Sequence, residues 1–65
     1  MTEISEILTA IHKNGDLYDI QEFTLDFGTK KLYELWSAGF IGGNNQEVWL
    51  TDKGLRVIGV LQNVV

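Results

Sequence analysis

The chain has 65 residues, no cysteine or proline and a single histidine, and its nine acidic side chains outnumber five basic ones for a net charge of −4. That length makes one domain, spanning residues 1–65, and the composition excludes disulfide staples, thiolate metal sites and histidine-rich metal sites. A domain of this size buries only about 60% of the surface its unfolded form exposes, so self-association is the staple still open to it.

The first predicted element lies in TEISEILTAIHKNG, where Ile4, Ile7, Leu8 and Ile11 repeat at the spacing of one helical face. Thr2 is its expected N-cap. Glu3 and Glu6 suit the positive end of the helix dipole, His12 and Lys13 suit the negative end, and Asn14-Gly15 supplies a left-handed stop. Asp16-Leu17-Tyr18 reads as a short extended link. Asp19, with Glu22 three residues on, then opens a second helix in the manner of a capping box. That helix turns Ile20 and Phe23 inward, with Leu25 and Phe27 as further candidates, and ends by Gly28.

Thr29 is the expected cap of a third helix, TKKLYELWSAG, with Leu32, Leu35 and Trp36 on its buried side and Gly39 as its stop. A hairpin follows. Phe40-Ile41 enters it, Gly43-Asn44-Asn45-Gln46 turns it, and Glu47-Val48-Trp49-Leu50 returns. Glycine and asparagine tolerate the positive φ angles of tight hairpin loops. Alternation puts Val48 and Leu50 on one face and Glu47 and Trp49 on the other. Tyr18, on a strand beside the hairpin, is expected to stack on Trp49, the alternative being an exposed Trp49 that marks an interface. Thr51 and Asp52 open a last helix that runs on through LRVIGVLQNVV.

The order is helix, short strand, helix, helix, hairpin, helix, an α+β arrangement that is mostly α. Leu35-x-x-x-Gly39-Phe40-Ile41 is similar to a recognition helix running into the first strand of a wing. Trp49-Leu50-Thr51-Asp52-Lys53-Gly54 is similar to the segment that closes the wing in MarR- and PadR-like regulators. The chain therefore resembles the winged helix-turn-helix superfamily over nearly its whole length. The resemblance implies a three-helix core with a short strand, a β-hairpin wing and a C-terminal helix. It further implies a small transcriptional regulator that binds double-stranded DNA as a dimer, with the third helix in the major groove and the wing on the flanking backbone.

Carried onto this sequence, the outward face of the third helix holds Thr29, Lys30, Tyr33, Glu34 and Ser37, with Lys31 at its flank. Lys30 and Lys31 would anchor phosphates in the first turn, where backbone N–H groups also point outward. Tyr33, Glu34 and Ser37 would meet base edges, and Asn44 and Asn45 would touch the backbone. The same residues also describe an ordinary solvated face. The tip departs from the family pattern, since Gly43, Asn44, Asn45 and Gln46 precede an acidic Glu47 where regulators commonly carry Arg or Lys. With only Lys30, Lys31, Lys53 and Arg56 as cations near DNA, at most about three or four phosphates per subunit would be neutralised, and the salt slope should be shallow.

Along the last helix, Leu55, Ile58 and Leu61 form one apolar stripe and Val57, Val60 and Val64 another. One stripe suffices to pack a terminal helix on its own domain. Two predict a homodimer through this helix, with Gly59 allowing close backbone approach; the alternative is an apolar tail that frays. The acidic residues Glu3, Glu6, Asp16, Asp19, Glu22 and Asp26 gather in the first half. Capping and dipole duties explain several of them, but as a group they could face a basic protein. The rival function is accordingly a winged-helix protein–protein module, an antirepressor or assembly adaptor that does not touch DNA.

No spacing supports a catalytic triad, and no glycine loop follows a strand to cradle phosphate, so neither an enzyme nor a cofactor is expected. No apolar run approaches the roughly 20 residues of a bilayer span, and the first residues lack the basic start of a signal peptide. The expected location is the cytoplasm.

Overall fold

The structure, a computed structural model, describes residues 4–60. Four helices and three strands follow one another as α1 (Ile4–Lys13), β1 (Leu17–Asp19), α2 (Ile20–Phe27), α3 (Thr29–Ser37), β2 (Ile41–Gly43), β3 (Glu47–Leu50) and α4 (Asp52–Val57). The strands form one antiparallel sheet in the order β1-β3-β2. The class is α+β. None of the described helices is long and apolar enough to cross a membrane.

The periodicity of α1 translates directly into packing: Ile7, Leu8 and Ile11 are fully buried. They meet Phe23 of α2, Leu32 and Leu35 of α3, and Ile41, Val48 and Leu50 of the sheet in a single core. Each such side chain, when fully buried, contributes about 1.5–3 kcal/mol. Val48 and Leu50 point into this core and Trp49 points out, as alternation requires. The expected cap Thr2 and the dipole-matched Glu3 lie outside the described residues.

Asp19 caps α2, its carboxylate accepting from the backbone N–H of Gln21 and Glu22 at 2.9 and 3.2 Å. A single residue, Gly28, separates α2 from α3. Its φ of 91° and ψ of 153° fall in a region essentially closed to residues with a Cβ. Glycine is therefore what lets the second helix turn into the third without a linker. Thr29 is the first residue of α3 rather than its cap; Gly28 takes the capping position and makes no side-chain hydrogen bond there. Leu25 is 85% exposed. At 100° per residue it lies about 160° around α2 from Phe23, so the inward placement fails on geometry.

The hairpin turn closes through Asn44, whose side-chain oxygen accepts from the N–H groups of Gln46 and Glu47 at 2.8 Å each. In the sheet Tyr18 pairs with Val48 and Leu17 with Trp49. Tyr18 and Trp49 thus lie on opposite faces, and the expected stack between them does not form. Tyr18 instead packs against Phe23 and Phe27, at ring separations of 6.0 and 5.9 Å. Trp49 lies over Gly42 on β2, where a Cβ would come within 2.6 Å of the indole nitrogen.

Thr51 caps α4 as expected. Its hydroxyl accepts from the Gly54 N–H at 3.2 Å and donates to the Gly39 carbonyl at 2.5 Å, tying the start of α4 to the end of α3. The helix is shorter than its apolar pattern implies. Gly59 stands at φ 78°, its N–H bonds the Arg56 carbonyl, and the Val60 N–H reaches back to the Leu55 carbonyl. This pair of bonds is the Schellman stop that also ends α1 at Gly15 and α3 at Gly39. Gly59 therefore terminates the helix, and among the described residues no atom lies within 4 Å of where its Cβ would be. Leu55 and Ile58 pack on the chain's own core, whereas Val57 and Val60 are 44% and 48% exposed. Leu61 and Val64 lie outside the described residues.

Candidate nucleic-acid interface

The surface of interest is the outer side of α3. Leu32 and Leu35 fix the helix to the core, and the 100° step then turns Lys30, Tyr33, Glu34 and Ser37 outward. These four side chains, with Ala38, line one broad, open depression. Thr29 is exposed at the helix start and Lys31 is half-buried at the flank. The residues assigned to the groove-facing side of α3 are thus gathered on one accessible surface.

Within it, Lys31 Nζ approaches a Glu34 carboxylate oxygen at 3.3 Å. An exposed pair three residues apart on a helix is worth only about 0.2–0.5 kcal/mol, so an incoming anion could displace it. Among the described residues, Lys30 takes part in no ion pair.

Lys53 is elsewhere. Its ammonium donates to the Ala38 carbonyl at 2.7 Å and sits 5.3 Å above the Phe40 ring. It caps the C-terminal end of α3, about 12 Å along the helix from Lys30. A cation at the end of a helix stabilises the dipole and satisfies an orphan carbonyl, so Lys53 has a structural task. The hairpin tip also differs from expectation in what it can offer. Asn44 has committed its oxygen to its own turn, which leaves its amide N–H groups and the exposed side chains of Asn45 and Gln46 as the polar groups of the tip.

The structure adds Trp36, which the sequence places on the buried side. It is 55% exposed and walls a small apolar cleft with Ile20, Leu32, Ile41, Gly43 and Val48, between α3 and the hairpin. Tyr33, one turn back, is 59% exposed. The hairpin side of the α3 surface is therefore aromatic, and the opposite side carries the Lys31–Glu34 pair.

The acidic first half is largely occupied. Asp16 meets His12 Nδ1 at 2.6 Å, Asp19 caps α2, and Asp26 accepts a short hydrogen bond from the Tyr18 hydroxyl. That bond, then burial, then the charges of Asp26 and Glu22 push the Tyr18 hydroxyl up to about 12. Glu6 and Glu22 are exposed and, among the described residues, take part in no ion pair. Among the described residues, no three histidine, aspartate or glutamate side chains gather as a metal site. Comparison with protein-family models, curated proteins and solved structures gives no match for the chain.

Proposed function

We propose that the chain is a winged-helix module that binds duplex DNA through the outer side of α3 and acts as a small transcriptional regulator. The observation that carries this reading is the exposure of α3: its inner side is fixed by Leu32 and Leu35 while Lys30, Tyr33, Glu34 and Ser37 stand uncovered together. The one-residue junction at Gly28 and the hairpin that follows α3 are compatible with a helix-turn-helix carrying a wing. Thr29 and Ser37 supply hydroxyls for phosphate or base edges, and Asn44 and Asn45 reach the flanking backbone.

Phosphate neutralisation rests on Lys30 and Lys31, the two cations carried by α3 itself, while Lys53 bonds the other end of that helix and Arg56 belongs to α4. The slope of log K against log salt should then be about −1 to −2 per chain, shallower than four cations would give. Two copies would set their third helices about one turn of DNA apart. The self-contact in this reading uses Val57 and Val60, because Leu55 and Ile58 already serve the chain's own core.

The test is a titration of labelled duplex at low salt with the parent protein, with Lys30→Ala plus Lys31→Ala, and with Lys53→Met. Binding at two chains per duplex is expected, lost in the double variant and retained in Lys53→Met. Absence of binding by the parent, or unchanged affinity in the double variant, overturns the proposal.

A second reading is a winged-helix protein-interaction module. It is favoured by the net charge of −4, the uncharged hairpin tip and the exposed rings of Tyr33 and Trp36. A parent protein that ignores every duplex but pulls down a defined protein from its own host would decide for it.

A further inference from the structure

We infer that the α3 surface reads thymine-rich duplex through the 5-methyl groups of thymine, with Tyr33 and Trp36 as the specificity-determining side chains. The inference rests on the DNA-binding reading above and assigns the chemistry of recognition within it.

The argument begins with what α3 lacks. Guanine is commonly read by bidentate arginine or lysine, and adenine by bidentate asparagine or glutamine. The helix TKKLYELWS contains no arginine, asparagine or glutamine. Its two lysines lie in the first turn, beside the backbone N–H groups that favour phosphate. Glu34, 3.3 Å from Lys31 and freed when that lysine turns to phosphate, could accept from a cytosine amine and would then favour dG-dC, an outcome the experiment below separates.

Beside the small hydroxyls of Thr29 and Ser37, the large groups α3 offers the floor of the groove are aromatic. Tyr33 and Trp36 are three residues apart, about 60° around the helix, and present the largest exposed rings on α3. Trp36 also borders the cleft against Ile41 and Gly43, so the aromatic strip continues from the helix to the hairpin. The base-edge group that an apolar strip can recognise in the major groove is the thymine methyl, which cytosine lacks and for which adenine and guanine have no counterpart. Burying one methyl is worth a factor of about four in affinity, and burying two a factor of about fifteen.

The experiment compares three duplexes of equal length, alternating dA-dT, alternating dA-dU and alternating dG-dC. Uracil keeps the pairing, charge and hydrogen-bonding edges of thymine and removes only the methyl. The parent protein should bind the dA-dT duplex about four- to fifteen-fold more tightly than the dA-dU duplex. In Tyr33→Ser plus Trp36→Ala that preference should fall below about twofold, while salt-dependent residual binding through Lys30 persists. The comparison of dA-dT with dA-dU uses the parent alone, so it holds even where a variant fails to fold. Equal affinity for the dA-dT and dA-dU duplexes overturns the inference, as does tighter binding of dG-dC or an undiminished preference in the folded double variant. Binding to none of the three overturns the DNA reading itself, an outcome distinct from binding all three alike.

Discussion

Six of the seven aromatic side chains divide into two groups that are treated in opposite ways, while Phe40 packs against the core beneath Lys53. Tyr18, Phe23 and Phe27 gather around α2, their rings 5.0–6.0 Å apart in edge-on or tilted contact. Tyr33, Trp36 and Trp49 stand on the outside. A domain of this size has little apolar surface to spare, and the first group shows how it uses an aromatic ring for cohesion: Phe23 fully buried, with Tyr18 and Phe27 half-buried against it. The second group adds little to cohesion. Trp49 covers Gly42, but Tyr33 and Trp36 sit on a helix whose attachment is already made by Leu32 and Leu35. Rings kept out of the core on the helix that also exposes Lys30 are what the proposed reading of DNA requires.

The largest effect that would break this comparison lies in the first group. Phe23 is fully buried and contacts both Tyr18 and Phe27. Phe23→Ala should cost about 3–5 kcal/mol. A single core in so small a domain rarely supplies more than that, so the variant should be unfolded at 25 °C by circular dichroism. A cooperative melt close to that of the parent would mean that the α2 cluster does not hold the domain together.

How these rings divide was only partly legible in the sequence. Phe23 and the residues Ile7, Leu8, Ile11, Val48 and Leu50 follow simple periods of helix and strand, and the structure buries them all. The stops at Gly15 and Gly39 and the caps at Asp19 and Thr51 were equally readable, because each rests on local backbone chemistry. Trp36 was not. It lies about 40° beyond Leu32 on the side away from Leu35, at the rim of the apolar arc, where a helical template cannot tell an inward ring from one that projects past its neighbours. The partner of Tyr18 was missed because strand register, which sets it opposite Val48, depends on how β1 docks on β3. The apolar residues after Leu55 obscured the stop at Gly59, which is satisfied by hydrogen bonds that composition does not reveal. The bond from Lys53 to the Ala38 carbonyl joins residues fifteen apart, which no local pattern reveals.

A smaller effect sharpens the cohesive side of the comparison. The Tyr18 hydroxyl donates to Asp26, and deprotonating it would set a phenolate against that carboxylate, which is why its pKa rises from 10 to about 12. A raised folded-state pKa means a contribution that is full below the unfolded value and is lost as pH climbs through the folded one. The parent should therefore exceed Tyr18→Phe by about 1 kcal/mol in denaturant titrations below pH 10, with the gap closing between pH 10 and 12. A gap that is constant across that interval would show that the hydroxyl does not act through Asp26.

The smallest expected change is the most telling for the exposed group. Removing a ring from the outer side of α3 forfeits some half-exposed apolar contact, but it also replaces tyrosine or tryptophan by alanine, the best helix former, a gain of roughly half a kcal/mol. These opposing terms should leave Tyr33→Ala and Trp36→Ala each within about 1 kcal/mol of the parent, a shift in melting temperature of no more than about 8 °C. Trp36 is the more exposed to failure of the two, because it walls the cleft against Ile41 and Val48. If Trp36→Ala melted as early as a core variant, its ring would belong with Phe23 in the cohesive group. The aromatic strip offered to DNA would then shrink to Tyr33 alone, and the thymine preference expected of it to about fourfold.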